Sequence, residues 1–330
     1  MTLTDLRYIV ALAETLHFGR AAEKCFVAQP TLSAAVKKLE QELNVMLFER
    51  DSSEVRITPV GAAIVVQARK VLGESARIRE LAKAGQDPLA SPLKLGVIYT
   101  IGPYLLPALI PQMRERAPHM PLVIREQYTT QLVAAVQEGE LDVIVAALPL
   151  EAPGLNVLPL YDEPFRVVTP AAHSFAQRKQ IDAAQLADEP MLLLGTGNCF
   201  RDQVLQVCPG LRERVIDSGE LDPMSQLPRT LEGTSLETIR HMVASGIGIT
   251  VLPSTAADPL VETNELLAVR RFRSPQPFRR IALAWRSTFP RQAAIDLLAQ
   301  AIQACALPGV TALQAGQKWP ALPPTSMCAT

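Results

Sequence analysis

Two cysteines nine residues apart, Cys199 and Cys208, carry the most specific chemistry in this sequence. They lie in GTGNCFRDQVLQVC, which follows the apolar run Met191–Leu194 and so reads as strand, loop and helix start. The glycines allow a sharp turn, and Thr196 or Asn198 offers a side chain to cap the helix. Cys199 then falls in the first helical turn, near unpaired N–H groups and the positive end of the dipole, with Arg201 beside it and Asp202 opposing. Such surroundings favour a thiolate, the form in which cysteine attacks and is oxidised. Two ordinary buried thiols are the other reading of the pair.

Hydroxyls stand where an α/β sheet holds its ligands, beyond the carboxyl ends of strands. Thr100 follows the predicted strand Leu93–Ile98, and Thr129 follows Leu122–Gln127. The other cysteines read as structural or peripheral: Cys25 on the inward face of a short helix, Cys305 near the end of the last helix, Cys328 in the tail. No CxxC pair or His/Cys cluster suggests a metal, and no phosphate loop suggests a nucleotide, so no metal and no cofactor is expected.

These residues need a scaffold, and the 330 residues are enough for about two domains. A composition of 48% hydrophobic and 20% charged residues excludes wholesale disorder. The longest apolar runs, such as Leu141–Leu150, are broken by charge or proline, so no membrane partner is expected. Acidic residues inside the first apolar stretch argue against a signal peptide, and an odd count of five cysteines argues against a secreted disulfide framework. A cytoplasmic location is expected.

Residues 1–58 read as three helices and a wing. Leu3, Leu6, Ile9, Val10, Ala13 and Leu16 recur at helical spacing; Gly19–Phe26 is a second helix with Ala21, Ala22, Cys25 and Phe26 inward; Val27 and Ala28 make the turn. Pro30 suits the first turn of a third helix. There Leu32, Val36, Leu39 and Leu43 form one stripe, and Pro30, Thr31, Ser33, Ala34, Lys37, Lys38 and Gln41 face away from it. That small, hydroxylated and basic face after a tight turn is suited to a DNA major groove, with Gln29 at the helix entry as a further DNA contact. The wing is Glu49–Thr58, with Arg50 and Arg56 as further DNA contacts. Seven Lys/Arg against eight Asp/Glu in residues 1–58 mean that affinity for phosphates must come from placing bases on one face, and from two copies.

Residues 59–91 supply a linker helix and hinge. Thr58 is an N-cap and Pro59 a first-turn residue. Ile64, Ala68, Val71, Ser75, Ile78 and Ala82 step by 4, 3, 4, 3, 4, a coiled-coil seam for dimerisation. Residues 92–306 alternate short apolar runs with helical patterns, and residues 307–330, proline-rich and aperiodic, are predicted as a disordered tail.

AAEKCFVAQPTLSAAVKKLEQELNVMLFER followed by ITPVG resembles the winged helix–turn–helix of LysR-type transcriptional regulators. PLKLGVIYTIGPYLLPALIPQM and TSLETIRHMVASGIGITVLP resemble the first strand–loop–helix and the signature helix–strand of that family's effector domain. The resemblance implies an α/β effector domain, periplasmic-binding-protein-like with two subdomains. It is preceded by an all-α winged helix-turn-helix domain and a long linker helix. GTGNCFRDQVLQVC and IYTIGPYLLP are similar to the family's peroxide-sensing members, with Asn198 standing where such a member carries histidine.

On that resemblance Cys199 is the peroxidatic cysteine and Cys208 the resolving one. Thr100, Thr129, Asn198 and Arg201 bind or activate the peroxide. Were Cys199–Cys208 one helix, it would turn about 900° and rise ~13.5 Å, while a disulfide needs Cα atoms within about 7 Å. The bond then requires the helix to break, with Pro209 and Gly210 marking its end. The implied function is a DNA-binding, non-enzymatic regulator activated by hydrogen peroxide. The implied partners are double-stranded promoter DNA, RNA polymerase and further copies of the chain as a dimer of dimers. The alternative is a regulator of the same family that senses a small metabolite in the effector cleft.

Overall fold

The computed structural model describes residues 1–50, 55–84, 87–150, 152–208, 210–211 and 230–313. The chain forms two compact units, the first built on Met1–Asp87 and the second on Pro88–Val136 and Leu141 onward.

The first unit opens with α1 (Leu3–Thr15), where Thr2 and Asp5 form a reciprocal capping box. Helices α2 (Phe18–Lys24) and α3 (Gln29–Leu43) follow, then the antiparallel strands β1 (Phe48–Arg50) and β2 (Val55–Ile57). Leu6 and Ile9 of the expected first stripe meet Leu12, Leu32, Val36 and Leu39 in one core, whereas Leu3 and Leu16 at the two ends of that stripe are exposed. Each side chain of the core contributes roughly 1.5–3 kcal/mol by leaving water.

The inward position expected for Phe26 is incorrect. Helix α2 ends at Lys24, the Cys25 N–H closes on Ala21 and Ala22, and the chain turns left-handed at Phe26 (φ 57°), leaving its ring 95% exposed.

Helix α4 (Pro59–Ala84) starts as predicted: Thr58 Oγ1 accepts from Gly61 N at 2.9 Å, and Thr58 N donates to Leu47 O at 3.0 Å. The expected seam divides. Ala68 is buried and Ile64 packs on the helix's own domain, whereas Val71 and Ile78 are exposed, at 39% and 69%. The side chain of Ala82 lies outside the described residues, as do wing residues 51–54.

The second unit is two α/β subdomains on one curled sheet of eleven strands. In the first, β3 (Leu93–Ile98), α5 (Gly102–Arg116), β4 (Leu122–Gln127), α6 (Thr129–Gln137) and β5 (Val143–Ala147) place β4 and β5 parallel to β3 on either side. The long β6 (Leu155–Pro170) crosses to the second subdomain. There β7 (Gln180–Ile181), β8 (Met191–Leu194), α7 (Cys199–Val207), β9 (Thr230–Gly233), α8 (Leu236–Ala244), β10 (Ile249–Pro253) and β11 (Leu267–Phe272) follow. Strand β12 (Phe278–Arg286) returns antiparallel to β6, from Phe278 opposite Pro164 to Arg286 opposite Leu155. Each subdomain has its own core, one around Leu95, Val145 and Leu298, the other around Phe165, Leu192 and Val251. This is the two-subdomain arrangement the resemblance implied, joined by the two crossover strands β6 and β12. No described helix is long and apolar enough to cross a membrane.

The predicted tail needs correction at its start. Thr311 and Ala312 pair with Asp162 and Tyr161 of β6, Leu313 N donates to Leu160 O at 2.9 Å, and Leu307 and Val310 pack on the first core. An open stretch of β6 provides backbone partners that no periodicity in so short a segment reveals. Residues 314–330, with Cys328, lie outside the described residues.

Gly61 shows where α4 is pressed against the segment that leads into the wing: a Cβ there would sit 2.2 Å from Leu47 O. Gly61→Ala should therefore cost about 1–3 kcal/mol, seen as a lower urea midpoint for loss of helicity. An unchanged midpoint would show that the junction gives way without strain.

Candidate functional site

The site begins with a register. Strands β3 and β4 are parallel with Ile98 opposite Gln127, so the next residues, Tyr99-Thr100 and Tyr128-Thr129, emerge side by side. Helix α5 starts just beyond the first pair, α6 starts at Thr129 and α7 at Cys199. The starts of α6 and α7 border one small cleft, lined by Tyr99, Thr100, Tyr128, Thr129, Asn198 and Cys199 among others. Helix N-termini carry partial positive charge and free N–H groups, which favours negative charge developing in the cleft.

The half-buried Cys199 thiol donates to Thr129 Oγ1 at 3.2 Å. Thr100 is fixed from behind. Arg279 Nη1 donates to Thr100 Oγ1 at 2.8 Å and Nη2 donates to Thr100 O at 2.9 Å. A guanidinium only donates, so the Thr100 oxygen is the acceptor and its own O–H is left to donate elsewhere. Arg279 is held in turn by Glu163, whose Oε2 accepts from Nε at 2.7 Å, both side chains being 1% exposed. The other Glu163 oxygen accepts from Thr255 N at 3.2 Å and from the Thr255 hydroxyl. The Arg279 guanidinium also lies 5.0 Å from the Phe200 ring centre, a stacking that holds the first turn of α7. Arg279 and Glu163 escaped the reading of the sequence. Their signal was Arg279-Arg280 inside the otherwise apolar strand FRRIALAW, since charges there must be paired.

Thr100, Thr129, Asn198 and Cys199 are thus brought together, and Arg201 is not. Its guanidinium donates to Leu194 O at 2.9 Å and pairs with Glu232, outside the cleft lining, so the neutralising partner is Glu232. Asn198 occupies the N-cap position of α7, but its side chain makes no capping bond; Nδ2 donates to Gly195 O at 3.0 Å instead.

Cys208 ends the same helix, its N–H closing on Val204 O, and is buried at 1% exposure in the second core. Burial alone pushes its thiol up to about 12. Leu205 and Val207 pack on that core too. Helix α7 is continuous over Cys199–Val207, so helical rise keeps the two cysteines ~13 Å apart. Pro209 lies outside the described residues. Cys305 is buried, and its thiol donates to Ala301 O at 3.2 Å.

The second candidate surface lies on α3. Gln29, Pro30, Thr31, Lys37 and Lys38 are exposed and Ser33 is half-buried, on the face opposite Leu32, Val36 and Leu39. Arg56 is exposed on β2, and the Arg50 side chain lies outside the described residues.

Comparison with known proteins covers both units. Residues 3–62 match the family described as bacterial regulatory helix-turn-helix protein, lysR family, and residues 86–306 match the LysR substrate binding domain. The chain is 39% identical over 304 residues to the DNA-binding transcriptional dual regulator OxyR of Escherichia coli K12, covering 92% of this chain and 95% of that one. Among solved structures it is similar to a full-length cysteine-to-aspartate variant of OxyR from Pseudomonas aeruginosa, at 51% identity and TM-score 0.74, covering 97% and 99% of the two chains. A hydrogen-peroxide-bound cysteine mutant of Corynebacterium glutamicum OxyR is 36% identical, TM-score 0.58, over 92% and 91%.

The raised Cys208 thiol makes a pH prediction. Its folded value lies above the ordinary 9.0 of the unfolded chain, so the buried neutral thiol stabilises fully below pH 9 and progressively less from pH 9 to about 12. By pH 10 the loss is roughly 1 kcal/mol. Urea melts at pH 8 and pH 10 should therefore show a smaller loss of stability for Cys208→Ala than for the wild type. Equal losses would mean that the thiol ionises freely in the folded state.

Proposed function

The chain belongs to the LysR family of bacterial helix-turn-helix regulators, and we propose that within it this protein is a DNA-binding transcriptional regulator activated by hydrogen peroxide. One observation carries the reading: the Cys199 thiol and the Thr129 and Thr100 hydroxyls border a single cleft, with Thr100 turned by Arg279 so that its O–H is free to donate.

The Cys199 thiolate attacks one peroxide oxygen. The S–O bond forms, the O–O bond breaks, and the departing oxygen takes a proton and leaves as water. Cys199 is then a sulfenic acid. Thr100 is suited to donate to the departing oxygen, and Thr129 to turn its own O–H onto the thiolate sulfur. Asn198 borders the same space, while Arg201 acts at one remove, tying α7 to β8 and Glu232.

The second step joins Cys208 to the sulfenic sulfur: the S–S bond forms, the S–O bond breaks and a second water leaves. In the closed helix Cys208 is buried, raised in pKa and ~13 Å away. It becomes a nucleophile only when α7 opens, and the cross-link then selects a second arrangement of the segment. Neither step is a turnover, so the protein acts as a sensor rather than a thiol peroxidase.

Promoter DNA is read by α3 through Gln29, Pro30, Thr31, Ser33, Lys37 and Lys38, with Arg50 and Arg56 on the wing. The exposed Val71 and Ile78 of α4 suit a pairing of two copies, and effector units pairing among themselves would give a dimer of dimers. The protein works in the cytoplasm beside RNA polymerase. The boundaries 1–58, 59–91 and 92–306 divide these tasks.

Mass spectrometry after mild peroxide treatment tests the chemistry. Cys199→Ser should abolish oxidation and the peroxide response while reduced-form DNA binding persists. Cys208→Ser should accumulate sulfenic acid at Cys199 and then over-oxidise. Reversible binding of a small metabolite with both thiols untouched would replace peroxide by a metabolite effector.

For the DNA face, Lys37→Ala should lower the salt dependence of binding by about one unit if it meets a phosphate, or relax one base position at a cost of roughly 1–3 kcal/mol if it reads a base. A variant unchanged on both measures would point that face to solvent. Footprints of reduced and oxidised protein on one promoter should differ in half-site spacing and agree in the bases read.

A further inference from the structure

Tyr99 and Tyr128 have no part in the chemistry just described, yet they flank it. The parallel register that sets Thr100 beside Thr129 sets Tyr99 beside Tyr128. Each Tyr-Thr dipeptide leaves its threonine at the cleft and its tyrosine at the edge of it. The two rings meet edge to face, centres 5.3 Å apart and planes at 76°, and remain 45% and 37% exposed. Both line the Cys199 cleft, whose interior has room for little more than one water-sized molecule.

We infer that Tyr99 and Tyr128 form an aromatic rim that sets the specificity of Cys199 for hydrogen peroxide over bulky organic hydroperoxides. The inference rests on the peroxide reading and adds to it a determinant of substrate class. In either reaction the sulfur attacks an oxygen of the O–O bond. The S–O bond forms, the O–O bond breaks, and the second oxygen leaves with a proton, as water from hydrogen peroxide or as an alcohol from an alkyl hydroperoxide. The chemistry alone discriminates little between the two. The difference is the carbon substituent, which has to occupy the space at the mouth of the cleft. A rim of two packed rings, each placed one residue beyond the end of a strand, denies that space to a cumyl or tert-butyl group and leaves a path for a molecule of two oxygens.

Ring bulk, not the phenol, is the proposed determinant, so truncation and conservative replacement should part company. Full-length wild type, the Tyr99→Ala/Tyr128→Ala double variant and the Tyr99→Phe/Tyr128→Phe double variant would each be treated with hydrogen peroxide and with cumene hydroperoxide. The rate of sulfenic acid formation at Cys199 is followed by a trapping reagent and mass spectrometry. Wild type should react faster with hydrogen peroxide. The ratio of the two rates should fall by about tenfold or more in the alanine variant, the scale on which pocket shape discriminates, and should keep its wild-type value in the phenylalanine variant. Tyr99→Ala alone, at the more exposed of the two positions, gives the same readout if the double variant does not fold. An unchanged ratio in the alanine variants, or an equal fall in the phenylalanine variant, would overturn the rim. A wild type whose Cys199 resists hydrogen peroxide altogether would overturn the peroxide reading and the rim with it.

Discussion

Helix α7 keeps the Cα atoms of Cys199 and Cys208 ~13 Å apart, and a disulfide tolerates about half that separation. The proposed switch depends on this mismatch. Were the cysteines already adjacent, a bond between them could form with no change elsewhere, and the rest of the protein would receive no signal. Because they are held apart by a helix whose apolar face is embedded in the second core through Phe200 and Val204, joining them must extract buried side chains. On the proposed chemistry the same burial would silence Cys208 until that happens and so impose an order on the two steps without a further catalytic group.

The crossover strands meet a different need. Arg279 and Glu163 form a buried pair on β12 and β6, the two chains that pass between the subdomains. Loss of one partner from such a pair costs about 3–5 kcal/mol, because the other is left charged and unpaired. Here two more of the guanidinium's N–H groups go to Thr100, so the pair that holds the crossover also fixes which way a hydroxyl lining the cleft points. Arg280 with Asp162 and Arg166 with Asp258 repeat the pattern around the same strands. The rigidity of the site is thereby inherited from the frame rather than from the loops that bear it.

Much of this was readable beforehand, for identifiable reasons. The N-terminal helices, the Thr58 cap, the strands at Leu93 and Leu122 and the last helix all announce themselves by periodicity or local hydrogen-bond chemistry, which sequence records directly. Thr100 and Thr129 were reachable because topology puts ligands beyond strand ends. Arg279 and Glu163 were not, since their meaning lies in a pairing across more than a hundred residues. Arg201 shows the opposite: nearness in sequence to Cys199 suggests a shared task, while its side chain turns back onto β8 and Glu232. Phe26 continues the helical stripe in sequence, but it stands two residues past the point where the backbone leaves the helix. The β6 pairing of Thr311 and Ala312 depends on a vacant strand edge that only the folded neighbour supplies.

The embedding of α7 has an electrochemical meaning. On the proposed chemistry, oxidation to the disulfide must include the free energy of unpacking the helix, and for a two-electron couple ~1.4 kcal/mol corresponds to about 30 mV. Each methylene that Leu205 or Val207 buries against the second core is worth about 0.8 kcal/mol, and so raises the midpoint potential of the Cys199–Cys208 couple, favouring the dithiol. Side chains that take no part in the bond would thus set the voltage at which the protein responds, and small exchanges along that face would tune it to the redox poise of its surroundings while the reacting groups stay the same.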